Sequence, residues 1–240
     1  MDKRPHGVCA IFNNTNFTTE NLGKRKGSEI DRDRLTTMFQ HLQYKVEVYN
    51  DLTADQTLWR MNEISQRNHK DFDSFICCIL THGTDNDALY GSDGKDVSLR
   101  KVMSFFYGKN AKTLFGKPKI FFIQACRGDL EDLGFTSSSI AADSEGDDMV
   151  HFDSSDLPDT ADFLIAFPTS SGFVSFRSHN EGTWYIKALC DQLTSCHNQY
   201  DLMTILTMVN GKVAARRTSE GYKQMPAPVT HLRKLVYIRT

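Results

Sequence analysis

The chain has 240 residues, 40% of them hydrophobic, and its 28 basic and 30 acidic side chains give a net charge of −2. This length and composition allow one full hydrophobic core, and the balanced charge offers no basic surface for nucleic acid or an anionic membrane. The polar start of the sequence and the lack of any apolar run near ~18 residues predict neither a signal peptide nor a membrane span. We therefore expect a cytosolic protein with no nucleic-acid or membrane partner.

Predicted strands and helices alternate along the first half of the chain. An apolar strand over 8–12 precedes a helix for which Ser28 is the expected N-cap. A strand over 44–49 is followed by a helix capped by Thr53. A second apolar strand over 75–80 then leads to a helix that opens at Ser98.

The second half continues the alternation. An apolar strand starts at 120, and a further strand covers 163–167. One helix starts at Thr183, another is capped by Asp201, and a final strand is expected over 235–238. Strands separated by helices are typical of βαβ units. The pattern predicts an α/β fold with a mostly parallel sheet covered by helices on both faces.

Two of the apolar strands stop at reactive side chains. The strand starting at 120 runs into Gln-Ala-Cys-Arg-Gly, with the cysteine at position 126, and the strand over 75–80 is followed by His82. Because the carboxyl ends of parallel strands share one edge of a sheet, we expect Cys126 and His82 to lie near each other. A thiol beside an imidazole is the arrangement that a cysteine nucleophile needs.

The remaining cysteines do not indicate a disulfide or metal framework. In a cytosolic chain of this size we expect free buried thiols, with the neighbours Cys77 and Cys78 on opposite faces of their strand. The sequence has no Cys-x-x-Cys pair, and two ligands, His82 and Cys126, are too few for a structural zinc site. We expect no metal and no cofactor.

The sequence resembles the caspase family over nearly the whole chain outside 129–160. The resemblance rests on Gln-Ala-Cys-Arg-Gly with a histidine 44 positions upstream, and on segments in family order at 7–16, 116–119, 161–164, 175–177 and 182–184. It implies the caspase-like three-layer fold, a six-stranded sheet flanked by helices and extended across a homodimer through its last strand. It also implies a cysteine endopeptidase that cuts peptides and proteins after aspartate in apoptosis-type proteolysis.

The resemblance assigns roles to individual residues. Cys126 corresponds to the nucleophile and His82 to the general acid–base, and the N–H groups of Cys126 and Gly83 to the oxyanion donors. A main-chain carbonyl is expected to orient His82. The substrate aspartate would enter a pocket formed by Arg25, Gln124 and Arg177. The substrate backbone would pair with Ser175–Arg177, and its second residue would meet an apolar wall of Phe176 and Trp184.

One segment departs from the family pattern. Members that favour aspartate four places before the cut usually have Tyr-Ser-Trp-Arg-Asn, where this chain has Val-Ser-Phe-Arg-Ser at 174–178. Val174 offers less aromatic surface, and Ser178 replaces the asparagine that helps to hold the distal aspartate. The short loop over 216–223 resembles apical rather than executioner caspases. The preference for the residue four places before the cut is therefore left open.

The segment 129–160 has ten acidic residues and no lysine or arginine. Such a composition predicts a loop that cannot order itself by burying apolar surface. Since caspases cut after aspartate, we interpret it as a processing linker cut between Asp143 and Ser144. The lesser candidate cut sites are Asp148, Asp153, Asp156 and Asp159. Residues 1–240 would then be one catalytic domain whose zymogen yields a large subunit (1–143) and a small subunit (161–240).

Three other functions fit the sequence less well. A catalytically silent caspase-like scaffold would normally lack the cysteine, the histidine or a pocket arginine, and all are present here. A related peptidase that cuts after arginine or lysine would need acidic residues at Arg25 and Arg177. A nucleotide-binding fold would need a glycine-rich turn after the first strand, where this chain has Asn-Asn-Thr-Asn at 13–16. The sequence suits an executioner-type enzyme with a minimal leader or a catalytic unit cut from a longer chain.

Overall fold

The computed structural model describes residues 1–83, 88–128, 130–132 and 157–240. The helices in this part of the chain are α1 (Ser28–His41), α2 (Ala54–Ser65), α3 (Leu99–Phe105), α4 (Trp184–Cys196) and α5 (Leu202–Ala214), with a 3₁₀ turn at Lys112–Leu114. The strands are β1 (Gly7–Asn13), β2 (Lys45–Asn50), β3 (Ser74–Leu80), β4 (Ala88–Tyr90), β5 (Asp96–Ser98), β6 (Lys119–Gln124), β7 (Phe163–Phe167), β8 (Arg177–Ser178), β9 (Gly182–Thr183) and β10 (Ala227–Thr230).

Six of these strands form one sheet in the order β10-β7-β6-β3-β1-β2. All neighbouring pairs are parallel except β10 with β7, which is antiparallel. β1, β3, β6 and β7 are buried along their whole length, as central strands covered on both faces should be. The predicted mostly parallel, six-stranded sheet is confirmed.

Helices cover both faces of the sheet. One core packs α1, α4 and α5 against one face, and the other packs α2 and α3 against the opposite face. Cys78 belongs to the first core and Cys77 to the second, so the neighbouring thiols point to opposite faces as expected. Each of the six cysteines is a free thiol.

The final strand was placed wrongly by the sequence pattern. Residues 235–238 are not in the sheet, and the sixth strand is β10, whose Pro228 suits an edge position. The later segment is extended, with Leu235 exposed and Val236 and Ile238 buried in the α1–α4–α5 core. Its main chain forms hydrogen bonds outside the sheet, since the Val236 carbonyl accepts from Leu202 N–H. The alternation of exposed and buried residues alone does not distinguish such a segment from a strand.

Helix starts were predicted correctly at four of five positions. The side chains of Thr53, Ser98, Thr183 and Asp201 each accept a hydrogen bond from a main-chain N–H of the helix that follows. Ser28 does not cap α1. The residue before the helix is Gly27, with φ of 87°, and the Ser28 hydroxyl bonds the side chains of Arg25 and Asn13 instead.

Within the described ranges, no helix combines the length and apolar character needed to cross a bilayer.

Candidate active site

The segments that follow β3 and β6 lie side by side at the carboxyl edge of the sheet. β3 and β6 are paired neighbours, with Leu80 opposite Gln124. A Cβ built on Gly83 would overlap the carbonyl oxygen of Cys126 and lie 2.9 Å from the Cβ of Ala125. The close approach requires glycine at position 83 and brings the His82 and Cys126 segments together.

A main-chain carbonyl orients His82. Its Nε2 lies 2.8 Å from the carbonyl oxygen of Gly23, and because a carbonyl only accepts, Nε2 carries the proton and Nδ1 has the free lone pair. The ring of Phe17 packs 4.8 Å away between centroids. Burial lowers the pKa of His82 below its usual 6.5, and repulsion from Arg25 and Arg177 acts in the same direction.

A cavity of about 240 Å³ opens between these groups. Its lining contains the two reactive side chains and the expected carboxylate-binding residues: Arg25, Thr81, His82, Gln124, Ala125, Cys126, Ser175, Phe176 and Arg177. The structure therefore brings together in one cavity residues that are up to 152 positions apart in the sequence.

Arg25 is a buried cation, with 1% of its surface exposed. Its Nη1 donates to the carbonyl oxygen of Asn14 at 3.0 Å and to the hydroxyl of Ser28 at 2.6 Å. Burial, together with repulsion from Arg177, lowers the pKa of Arg25 to about 9. Burial also lowers the pKa of Arg177. Two guanidinium groups that repel each other therefore face one cavity.

Ser175 connects the pocket to the thiol. Its hydroxyl oxygen accepts a hydrogen bond from Gln124 Nε2 at 3.0 Å and lies 3.7 Å from the sulfur of Cys126. Gln124 Oε1 and Arg177 Nε are buried and have no hydrogen-bond partner among the described residues. Buried polar atoms are rarely left unsatisfied, so the pocket retains capacity to bind a polar ligand.

The extended segment 175–177 beside the cavity is held on its other edge by Gln224, a residue whose role was not predicted from the sequence. The Gln224 side chain accepts from Phe176 N–H at 2.8 Å and donates to the carbonyl of Pro168 at 2.7 Å. The Phe176 carbonyl accepts from Trp184 N–H. Because alternate residues of an extended chain direct their main-chain groups to opposite edges, those of Ser175 and Arg177 face the cavity side.

An aromatic surface adjoins the cavity. Phe176 lies 5.0 Å from Trp184 and stacks on Tyr222 at 6.4 Å between ring centroids. The guanidinium of Arg216 sits over the Trp184 ring at 4.9 Å. Tyr222 and Arg216 belong to the short loop over 216–223, and their packing was not predicted from the sequence.

Two predicted substrate-binding residues do not reach the cavity. Val174 and Ser178 are outside the cavity lining, and the Ser178 hydroxyl accepts from the N–H groups of Asn180 and Glu181 within its own turn. Asp143 and Ser144 lie outside the described residues.

Comparisons with known proteins point to one family. A sequence family described as the caspase domain matches residues 6–237. The chain is similar to caspase-8 of Rattus norvegicus (38% identity), caspase-3 of Bos taurus (39%) and caspase-3 of Mus musculus (38%), each over 99% of this chain. It spans about half (52%) of the length of the rat caspase-8, 86% of the bovine caspase-3 and 85% of the mouse caspase-3. A family match over nearly the whole chain, on a six-stranded α/β sheet with a cysteine and a histidine at its carboxyl edge, shows that the chain belongs to the caspase family, whose members are aspartate-specific cysteine proteases of apoptosis.

Proposed function

We propose that this protein is an active cysteine endopeptidase that hydrolyses peptide bonds after aspartate. The observation that carries the proposal is the pair of guanidinium groups, Arg25 and Arg177, facing one small cavity with Cys126 and His82. A carboxylate leaving water needs charge-assisted donors, each worth about 1.5–3 kcal/mol. A substrate aspartate would supply the negative charge that this pocket lacks.

The proposed reaction uses the free lone pair of His82. Nδ1 takes the thiol proton as the sulfur of Cys126 attacks the carbonyl carbon of the scissile bond. The N–H groups of Gly83 and Cys126 donate to the oxyanion that forms. His82 then returns the proton to the leaving amine, the C–N bond breaks, and a thioester remains. A water molecule, deprotonated by His82, cleaves the thioester and regenerates the thiol.

The substrate backbone would bind as an added strand. The main-chain groups of Ser175 and Arg177 on the cavity side form a short edge for such pairing, with Phe176 anchored by Gln224 on the other side. The aromatic surface of Phe176, Trp184 and Tyr222 would contact the second residue of the substrate.

The same proposal covers activation and assembly. We infer a zymogen that is cut after Asp143 in the acidic linker, and a homodimer that extends the sheet through β10, the edge strand. The proposed partners are peptides and proteins with aspartate before the cut bond, and the proposed location is the cytosol.

A fluorogenic tetrapeptide library with aspartate at the cut and the other positions varied tests the proposal directly. We expect hydrolysis by the wild-type protein, and its loss in both Cys126→Ala and His82→Asn variants that keep the wild-type unfolding temperature. The same library reports the preference four places before the cut. A folded wild-type protein that cleaves no member, before or after limited proteolysis of the linker, would instead support the silent scaffold.

A further inference from the structure

Asp31 is a buried carboxylate behind the proposed substrate pocket. It lies on α1, is fully buried, and is not part of the cavity lining. Both of its oxygens accept the N–H of Thr183, at 3.0 and 3.1 Å, and Arg34 Nη1 lies 3.6 Å from Oδ1. The carboxylate therefore connects α1 to the β8–β9 hairpin without touching the cavity.

The two elements that Asp31 joins hold the two pocket cations. Thr183 lies directly opposite Arg177 in the β8–β9 pairing. On the other side, Ser28 begins α1 three residues before Asp31, and its hydroxyl accepts from Arg25. The Asp31–Thr183 hydrogen bonds therefore connect the element that contacts Arg25 to the hairpin that carries Arg177.

Two glycines in left-handed conformations allow this close junction. Gly182 has φ of 78°, and a Cβ there would overlap the Asp31 carboxylate. Gly27 has φ of 87°, and a Cβ there would lie 2.8 Å from the carbonyl oxygen of Ser178. Side chains at either position would force the helix and the hairpin apart.

The charge of Asp31 also acts on both cations. Its carboxylate raises the pKa of Arg25 and of Arg177, against the larger lowering by burial. Burial raises the pKa of Asp31 itself to about 6, although the Thr183 N–H and Arg34 oppose the shift. The side chain is thus still ionised near neutral pH despite an environment that disfavours the charge.

We propose that Asp31 is a positioning residue for the carboxylate pocket, setting the spacing of Arg25 and Arg177 by tying α1 to the hairpin. This inference rests on the proposed function and adds to it a residue that does not contact substrate. If the linker is cut as proposed, Asp31 and Thr183 belong to different subunits, so the same contact holds the pocket together after cleavage.

Kinetics of Asp31→Asn and Asp31→Ala test the role, with Asp33→Asn as the matched control. Asp33 lies two residues along the same helix, and its side chain, 68% exposed, pairs with its neighbour Arg32. For a fluorogenic peptide with aspartate at the cut, we expect KM to rise about tenfold in Asp31→Asn, which removes the charge from the hydrogen bond to Thr183. We expect a larger rise in Asp31→Ala, which removes the hydrogen bond itself. We expect kcat to change less than about threefold, because Cys126 and His82 are held by other elements. Asp33→Asn should match the wild type.

A second measurement distinguishes an effect on the carboxylate pocket from an effect on the reactivity of the Cys126 thiol. Alkylation of Cys126 by iodoacetamide needs no pocket and should proceed at the wild-type rate in every variant. Inactivation by a peptide chloromethyl ketone that carries aspartate should slow in the Asp31 variants by the same factor as kcat/KM. The isosteric Asp31→Asn, which keeps an acceptor for Thr183 N–H, provides the test if Asp31→Ala does not fold.

Two results would overturn the positioning role. One is an unchanged KM in folded Asp31 variants. The other is a parallel fall in kcat, in iodoacetamide reactivity and in unfolding temperature, which would indicate a general structural role. A wild-type protein that reacts with iodoacetamide but cleaves no aspartate peptide would instead refute the proposed function, and the inference with it.

Discussion

Cations are buried at both ends of the central sheet, but only those at the amino end have a carboxylate partner. At the amino end, Lys119 of β6 lies close to Asp162, whose carboxylate accepts two hydrogen bonds from Arg233 at 3.0 and 2.7 Å. At the carboxyl end, Arg25 and Arg177 face one cavity, and neither forms a salt bridge within the described part of the chain.

The difference separates a structural cluster from a binding site. Burying a cation is tolerated when an anion and hydrogen bonds compensate it, as Asp162 does at the amino end. Two like charges left facing a cavity lower the stability of the folded state unless a ligand supplies the missing anion. Asp31 compensates only in part, because its carboxylate is turned toward Thr183 rather than into the cavity. The uncompensated positive charge at the carboxyl end therefore suits the proposed binding of a carboxylate.

Reversing one pocket charge should have the largest effect. Arg177→Glu would replace attraction for the substrate carboxylate by repulsion, and we expect kcat/KM after aspartate to fall on the order of 10³-fold or more. The unfolding temperature should stay near that of the wild type, because Arg177 forms no salt bridge among the described residues. Arg217→Glu changes an exposed arginine and serves as the control. Retained cleavage after aspartate in Arg177→Glu would remove this residue from the pocket.

Neutralising the second cation should reduce activity without reducing stability. We expect Arg25→Met to lower kcat/KM about 100-fold, the equivalent of about 3 kcal/mol for a lost charge-assisted contact. The free energy of unfolding at pH 7.5 should not fall, because relief of burial and of repulsion from Arg177 offsets the lost hydrogen bonds to Asn14 and Ser28. Lys26→Met, at the exposed neighbouring position, is the matched control for both measurements. A clear loss of stability in Arg25→Met would mean that this cation is structural.

At the amino end of the sheet, removing the anion should reduce stability and leave activity unchanged. Asp162→Asn leaves the buried Lys119 without a nearby anion and removes the charge that pairs with Arg233, and we expect a clear loss in the free energy of unfolding. KM and kcat should be unchanged below the unfolding transition, because this cluster is at the far end of the sheet. Asp159→Asn, which removes an exposed ion pair with Lys109 just before β7, should leave the free energy of unfolding near that of the wild type. Urea titrations give the stabilities, and a raised KM in Asp162→Asn would contradict the separation of the two ends.

The sequence was informative where a local pattern carries the information. Apolar runs identified the central strands, and the capping residues Thr53, Ser98, Thr183 and Asp201 marked four helix starts. Position at strand ends predicted that Cys126 and His82 lie near each other, and both line the same cavity.

What the sequence could not predict depends on contacts between distant segments. The Ser28 hydroxyl is taken by Arg25 and so cannot cap its helix, and the segment over 235–238 alternates like a strand but bonds outside the sheet. Gly23 acts through a main-chain carbonyl, for which side-chain patterns give no signal. Gln224 fixes Phe176 from 48 positions away, and only the folded chain brings them together.

The smallest expected effect is a difference between two pH profiles. In the proposed mechanism His82 acts as a base when neutral, so activity should be lost as the pH falls through its pKa, which burial and the two guanidiniums lower below 6.5. The profile of kcat/KM reports the free enzyme, and that of kcat reports the substrate complex. A bound substrate carboxylate compensates the charges of Arg25 and Arg177 and removes their repulsion of a protonated His82. The midpoint of the acid limb should therefore lie at higher pH in kcat than in kcat/KM.

Asp31 also titrates near this range, because burial raises its pKa to about 6, so the same profiles are needed for Asp31→Asn. The offset between the two limbs should persist in that variant, since the guanidiniums and not Asp31 produce it. Coincident limbs in the wild type would show that the substrate carboxylate does not compensate the two cations. The cations at the carboxyl end would then, like Lys119 at the other end, serve the fold rather than the substrate.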